Sequence, residues 1–138
     1  MVFDKNKKYP LFISHCWDYN EEYYKVENWI DESDISWKNM SIPVHDPKDT
    51  SSDKDLEQKI DNLIRNSSLF IIIAGMYVSQ ENRTWINKEI DIAQKYNKPI
   101  LAIKPWGHQR TPVRLQEVAD KLVNWQNSSV INGIKELL

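Results

Sequence analysis

A tryptophan and a glutamate four positions apart form the pattern with the clearest chemical meaning in this chain. Trp85 and Glu89 follow an apolar run at residues 69–75, after about ten residues that read as a connecting loop. On an α-helix, positions i and i+4 lie on one face, so the ring and the carboxylate would face the same space. Open α/β sheets bind ligands beyond the carboxyl ends of their strands. The pattern therefore predicts a ligand site that contains a carboxylate.

Length and composition predict one soluble domain. The chain has 138 residues, of which 41% are hydrophobic and 28% charged, and it has no apolar run of the roughly 18 residues needed to cross a bilayer. Its N-terminus has no apolar signal core, and its single cysteine, Cys16, cannot form an internal disulfide. These features predict a single domain over residues 1–138 in the reducing cytoplasm, without a membrane partner.

The charge pattern argues against nucleic acid as a partner. The net charge is −2, and the basic residues are scattered along the chain. Six tryptophans and six tyrosines indicate aromatic surface for packing, ligand stacking or self-association.

Apolar runs alternate with helical patterns along the chain, which is typical of a parallel sheet with helices on both faces. Strands are predicted at residues 11–13, 40–44, 69–73, 100–103 and 121–125. Helices are predicted at residues 20–31, from a cap at Ser52 or Asp53, around Trp85, at residues 112–119, and from a cap at Ser128 or Ser129 to the C-terminus. These units predict an α/β, flavodoxin-like three-layer sandwich whose five parallel strands have the order 2-1-3-4-5, with a crevice between strands one and three.

Several ligand classes common in this fold lack their residues here. Ala74 and Gly75 stand where a phosphoacceptor aspartate would lie, and residues 14–18 are too poor in glycine for an FMN phosphate loop. Neither GxGxxG nor GxxxxGK[ST] occurs. The cysteine and the histidines lack the paired spacing of a zinc site. The sequence therefore predicts no metal and no bound cofactor.

Short blocks of the sequence match one known family. They are FISH at residues 12–15, IIAGMY at 72–77, WINKEI at 85–90, KPI at 98–100 and PWG at 105–107. They resemble the bacterial TIR-like domains of the Thoeris antiphage ThsB type over nearly the whole chain, and the Trp85-to-Glu89 spacing matches the WxxxE helix of enzymatic TIR domains.

The resemblance implies cleavage of the nicotinamide–ribose bond of NAD⁺, a substrate rather than a cofactor, with Glu89 as the catalytic residue. Cyclisation of ADP-ribose often follows and makes a signal that activates a separate effector, and a phage-derived trigger is expected. The chemistry is physically sound, because nicotinamide leaves a pyridinium as a neutral base and a carboxylate can stabilise the oxocarbenium-like charge. The product linkage stays open.

The ends of the strands supply the other predicted substrate contacts. These are Ser14, His15 and Trp17 after strand one, His45 and Asp46 after strand two, Gly75, Met76 and Tyr77 after strand three, and Trp85 on the helix. Ordinary structural roles are the alternatives: Ser14 can shape a turn, Trp85 can pack in the core, and His45 belongs to a segment typical of a turn. Cys16 is predicted to be structural, and Trp106 and Trp125 to be core or interface residues.

Two further hypotheses concern assembly and the class of function. With only three glycines to cradle a pyrophosphate, a second protomer is expected to complete the site, which predicts self-association. The alternative to an enzyme is a catalytically silent TIR-like adaptor that recruits partners through its loops and helices. Fold alone does not separate these two functions.

Overall fold

The computed structural model describes residues 3–14, 21–41, 53–77, 79–107 and 109–138. Some positions singled out in the sequence lie outside the described residues: His15, Cys16, Trp17, His45, Asp46 and Ser52.

Within the described residues the chain forms five strands, five α-helices and one short 3₁₀ turn. In chain order they are β1 (Lys8–Ser14), α1 (Glu21–Asp31), β2 (Ser36–Asn39), α2 (Asp53–Arg65), β3 (Leu69–Ile73), the 3₁₀ turn (Ala74–Tyr77), α3 (Gln80–Lys95), β4 (Ile100–Ile103), α4 (Val113–Val118), β5 (Lys121–Val123) and α5 (Asn127–Leu137). None of these helices is both long enough and apolar enough to cross a bilayer.

The strands form one parallel sheet in the order β2-β1-β3-β4-β5, which confirms the predicted flavodoxin-like topology. Leu11 lies opposite Leu69, and Ser14 lies opposite Ile72, so β1 and β3 end near the same level. Helix α1 packs against α5, and α2 packs against α3. Because parallel crossovers are right-handed, these two pairs cover opposite faces of the sheet.

Strand β3 lies between β1 and β4, and all five of its residues are buried. A strand that is covered by helices on both faces has no polar side to present, so its sequence is continuously apolar. The prediction that residues 69–73 form a central strand is confirmed.

The predicted position of the second strand was wrong. Strand β2 lies at Ser36–Asn39, and Met40 and Ser41 form a turn after it, while residues 42–44 lie outside the described chain. The strand is an edge strand paired only with β1, and its side chains alternate between exposed and half-buried. Backbone pairing with β1 determines where this strand lies. The mostly apolar stretch at residues 40–44 therefore led to the wrong position in the prediction.

Two helix starts also differ from expectation. Helix α5 begins at Asn127, and the capping residue is Gln126, which makes no side-chain cap hydrogen bond, so neither Ser128 nor Ser129 is the cap. Helix α3 begins at Gln80, where the Ser79 side chain accepts a hydrogen bond from the Asn82 backbone N–H. The connection from β3 to α3 is therefore shorter than predicted, because a 3₁₀ turn and a serine cap replace a loop.

The two tryptophans predicted to be core or interface residues have different environments. Trp125 stacks at a tilt on Trp29, with ring centroids 5.0 Å apart. Trp106 follows β4 and is 75% exposed. It is not a core residue of the chain.

Replacing Gly133 with alanine should lower the free energy of unfolding by about 1–2 kcal/mol. A Cβ atom at this position of α5 would lie 2.7 Å from Val123 Cγ1 and 3.1 Å from Leu101 Cδ1, so these side chains or the helix itself would have to shift. Urea denaturation measures the effect. The matched control is Asn132→Ala at the exposed neighbouring position, which should be neutral or slightly stabilising. Equal stability of both variants would show that α5 does not pack this closely.

Candidate functional site

A buried hydrogen bond joins the end of β1 to α3. The Ser14 hydroxyl donates to Glu89 Oε1 over 2.9 Å, although the two residues are 75 positions apart. Ser14 has no exposed surface, and Glu89 is only 4% exposed. Because Ser14 is the last residue of β1 and pairs with β3, the contact lies at the carboxyl end of the sheet. This is the crevice that the strand order predicted.

Burial raises the pKa of Glu89 to about 8, and the hydrogen bond from Ser14 lowers it by less than burial raises it. Removing water penalises the charged form of a carboxyl group, whereas a donated hydrogen bond favours that form. None of the ion pairs found among the described residues includes Glu89. The group is therefore mostly protonated at neutral pH, and a ligand cation beside it would lower its pKa.

The placement of Glu89 follows from the pattern of α3. Ile86, Ile90 and Ala93 are fully buried and mark the face of the helix that packs on the sheet. Glu89 lies on this face, at a position where an apolar residue would be the physical expectation. A carboxyl group in an apolar stripe is unfavourable for stability. Its presence marks this part of α3 as a candidate site.

Trp85 lies one turn before Glu89 on α3 and is half-buried. Its ring packs against the core, and the Lys88 ammonium lies 4.9 Å from the ring centroid. Lys88 also forms an ion pair with Glu57 of α2 over 2.9 Å. The ring thus contributes to packing, and its predicted role in ligand stacking stays a prediction.

The 3₁₀ turn after β3 is tied to α3. The Tyr77 hydroxyl donates to Asn87 Oδ1 over 2.9 Å, and the Arg83 guanidinium lies 5.7 Å from the Tyr77 ring centroid. Met76 and Tyr77 are 3% and 7% exposed, so they lie in the core. Gly75 is only partly buried. The predicted substrate contacts of these three residues remain predictions.

Glu22, in the first turn of α1, is a site residue that the sequence reasoning missed. A Cβ atom added at Gly75 would lie only 2.6 Å from Glu22 Oε2, so the carboxyl group lies directly over this glycine. Burial raises the pKa of Glu22 above its usual value. The sequence did contain an indication of this residue. Helix α1 follows strand one, begins near the C-terminal ends of the strands and has two glutamates in its first turn.

The described residues thus bring Ser14, Gly75 and Glu89 to one edge of the sheet and add Glu22. Trp85 is nearby on α3, one turn from Glu89. Across the described residues, no three His, Cys, Asp or Glu side chains are grouped in a way that could hold a metal ion.

Comparison with known proteins identifies the family. The family model of the Thoeris protein ThsB, TIR-like domain, matches residues 12–110. No curated protein matches the chain.

Two solved structures share the fold. A conserved protein from Enterococcus faecalis V583 has a TM-score of 0.66 and 13% identity, covering 96% of this chain and 100% of that one. The CMP N-glycosidase BcmB of Clostridium botulinum has a TM-score of 0.55 and 15% identity, covering 91% of this chain and 97% of that one. At these identities the structural likeness shows the fold alone. The family match, however, spans more than half of the chain, and the chain therefore belongs to the TIR-like domain family of the Thoeris antiphage protein ThsB.

Proposed function

We propose that this protein cleaves the nicotinamide–ribose bond of NAD⁺ and converts the ADP-ribose portion into a signal, cyclic in form, that activates a separate effector in antiphage defence. One observation carries the proposal: Glu89 is a buried carboxyl group that Ser14 holds at the carboxyl end of the sheet. The family supplies the defence context.

The bond cleavage needs little from the protein beyond a negative charge. When the C1′–N1 bond breaks, its electron pair stays on nitrogen, and the pyridinium becomes neutral nicotinamide. No acid has to protonate this leaving group. Positive charge develops on C1′ and the ring oxygen of the ribose, and ionised Glu89 stabilises it. A nucleophilic atom of the ADP-ribose portion then bonds to C1′, and the product loses a proton to solvent as the ring closes. The burial of Glu89 strengthens this interaction, because water does not screen it.

The raised pKa of Glu89 fits this role. The substrate carries its positive charge on the nicotinamide ring, and a cation near a buried carboxyl group favours the ionised form. Binding of NAD⁺ would therefore release the proton of Glu89 and place a carboxylate beside the reacting bond. Because none of the ion pairs among the described residues neutralises Glu89, the charge remains available for the substrate.

One structural neighbour is consistent with this reaction class. The Clostridium botulinum protein is described as a CMP N-glycosidase, an enzyme that acts on a bond between a base and a ribose. Its low identity transfers no residue role to this chain. It supports only the statement that the fold is compatible with this chemistry.

The test is to incubate the purified protein with NAD⁺ and to separate the products by chromatography with mass detection. Nicotinamide and an ADP-ribose-derived product are expected, with stronger turnover when lysate of phage-infected cells supplies the trigger. Absence of nicotinamide under both conditions would overturn the proposal in favour of a silent adaptor.

Self-association is part of the proposal, because a second protomer would complete the binding site. Activity should therefore fall more steeply than protein concentration on dilution. Gel filtration over the same dilution series reports the oligomeric state. A monomer with full specific activity would oppose this part.

The pH dependence of the reaction should report the pKa of Glu89. In the free protein that pKa is about 8, and the ionised form is the active one, so kcat/KM should rise as pH increases through this value. The bound pyridinium lowers the pKa, so the rise of kcat should have its midpoint at lower pH. Initial rates at saturating and subsaturating NAD⁺ between about pH 6 and about pH 9 separate the two profiles. A kcat/KM that stays constant over this range would contradict the role of Glu89.

A further inference from the structure

The carboxyl group of Glu22 lies in a place that the absence of a side chain on Gly75 keeps open. Glu22 Oε2 and Oε1 are 2.6 Å and 3.1 Å from the point that a Cβ atom of residue 75 would occupy. Every other amino acid at this position would push the carboxyl group aside. The glycine is thus matched to the glutamate, across two elements that are far apart in the sequence.

This carboxyl group has no hydrogen-bond or charge partner among the residues that the structure describes, and burial is the one cause of its raised pKa. Glu27, on the same helix, shows the usual arrangement: it accepts hydrogen bonds from Asn39 Nδ2 at 2.8 Å and from the Tyr23 hydroxyl at 3.3 Å. A partly buried carboxyl group without donors is unfavourable. Within the described residues, nothing therefore compensates the burial of this carboxyl group.

The helix dipole accounts for an acidic residue here, but not for its burial. Glu21 and Glu22 both lie in the first turn of α1, where negative charge is favourable. Glu21 is exposed and gains this interaction without losing water. Glu22 instead turns inward over Gly75 and loses part of its hydration.

A second observation at the same crevice points to a ligand. Glu89 is more than nine-tenths buried, and its Oε1 accepts from Ser14, while its Oε2 has no partner in the described part of the chain. Helices α1 and α3 cover opposite faces of the sheet. The side chains of Glu22 and Glu89 therefore lie near the C-terminal ends of the strands, on opposite faces of the sheet. Glu89 is more deeply buried than Glu22.

The charge of these groups limits which part of a nucleotide can lie beside them. Carboxylates repel phosphate and accept hydrogen bonds, so they face the donors of the ligand. The neighbouring hydroxyl groups of a ribose are such donors, and their spacing suits the two oxygens of one carboxylate. The same pairing of an acidic side chain with ribose hydroxyls occurs in dinucleotide-binding folds.

We propose that Glu22, whose carboxyl group lies in the space that Gly75 leaves open, is a specificity-determining residue that accepts hydrogen bonds from the hydroxyl groups of the ribose next to the scissile bond. This inference rests on the proposed function, because it takes a ribonucleotide as the substrate. Its consequence is discrimination against deoxyribose.

The experiment measures binding by titration calorimetry in the Glu89→Gln protein, which we expect to bind NAD⁺ with little turnover. NAD⁺ should bind more tightly than its analogue without the 2′-hydroxyl on the nicotinamide ribose, by a factor on the order of ten to one hundred. Adding Glu22→Ala should bring this preference close to one. Glu21→Ala, a neighbouring glutamate that is exposed, is the matched control and should keep it.

Gly75→Ala gives a second, independent variant, because it leaves Glu22 in the chain but displaces its carboxyl group. The ribose preference should again be lost. In the Glu22→Ala/Gly75→Ala double variant the preference should be no lower than in either single variant, because both changes remove the same contact. Thermal unfolding verifies that every variant is folded.

Two results would overturn the inference: a ribose preference that survives Glu22→Ala, and a parent protein without any such preference. Nicotinamide mononucleotide is titrated beside its 2′-deoxy form, because it contains the same ribose and gives an answer if the dinucleotide does not bind. If the preference is present and depends on Glu22, but the wild-type protein releases no nicotinamide, the proposed function fails while the inference stands. Discrimination between the nicotinamide and nicotinic acid dinucleotides that depends on Glu22, without ribose discrimination, would assign Glu22 to the carboxamide and refute the inference.

Discussion

Glutamine in place of Glu89 should reduce nicotinamide release from NAD⁺ by a factor on the order of 10³. The substitution keeps the shape of the side chain and can still accept the hydrogen bond from Ser14, but it cannot supply negative charge to the ribose cation. Since the charge is needed chiefly in the transition state, kcat should fall far more than the affinity for NAD⁺. Steady-state rates and calorimetric titration of NAD⁺ measure the two quantities.

The matched control for this substitution is Asp91→Asn, two positions along α3. Asp91 is exposed, and it forms an ion pair with Arg114 at 3.4 Å. The Asp91→Asn variant also removes one carboxylate from α3, and it should keep nearly full activity. If both variants retained wild-type turnover, Glu89 would not be the catalytic residue. If both lost turnover equally, the overall charge of α3 would matter rather than the position of one carboxyl group.

The second large effect concerns stability. Between about pH 5 and about pH 8, the free energy of unfolding of the wild-type protein should fall relative to that of Glu89→Gln, by an amount on the order of 4 kcal/mol in total. The ordinary pKa of a glutamate side chain is 4.5, and folding raises the pKa of Glu89 to about 8. Urea denaturation of both proteins across this range gives the difference directly.

The sign follows from where the proton is bound. Below the unfolded pKa, Glu89 is protonated in both states and its burial has the lowest cost. As pH rises, the unfolded chain releases the proton first, so unfolding becomes more favourable by about 1.4 kcal/mol for each pH unit. Above the folded pKa both states are ionised, and the loss stops growing. Glutamine does not titrate, so its curve lacks this contribution.

Ser14→Ala provides a control on the stability prediction. It removes the hydrogen bond that lowers the pKa of Glu89, so the relative loss of stability should continue to higher pH than in the wild type. Parallel curves for wild type and Glu89→Gln would mean that Glu89 is not desolvated in the folded protein.

The sequence predicted most of the fold because buried parallel strands have a simple signature. Residues 69–73 and 100–103 are continuously apolar, and both form strands. Strand β2 was misplaced because it is held at the sheet edge by pairing with residues 8–11 of β1, and pairing with a distant segment leaves no local mark in composition. The start of α5 was misplaced because Gln126 is an unusual cap without a side-chain hydrogen bond.

The sequence predicted those site residues that can be recognised within a single helix or strand. The helical spacing of Trp85 and Glu89 identified α3, and the strand ends identified Ser14 and Gly75. That the Ser14 hydroxyl donates to Glu89 depends on the register of β1 against β3. The approach of Glu22 to Gly75 depends on how α1 packs against the sheet. Such distances between separate elements are set by packing rather than by local sequence.

The strand order has a consequence for synthesis of the protein. Strand β1 lies between β2 and β3, yet β3 begins only at residue 69, so the first half of the chain leaves the ribosome with one edge of β1 unpaired. Strands of a parallel sheet pair with segments that are distant in the sequence, so folding is slow. Apolar strands stay exposed until their partners have been made. Glu89 follows later still, so Ser14 finds its hydrogen-bond partner only after nearly two thirds of the chain has been made. Fragments that end before α3 would contain β1 and β3 but would lack Glu89 and the pairing of β3 with β4, so they would form neither the complete sheet nor the buried acidic group.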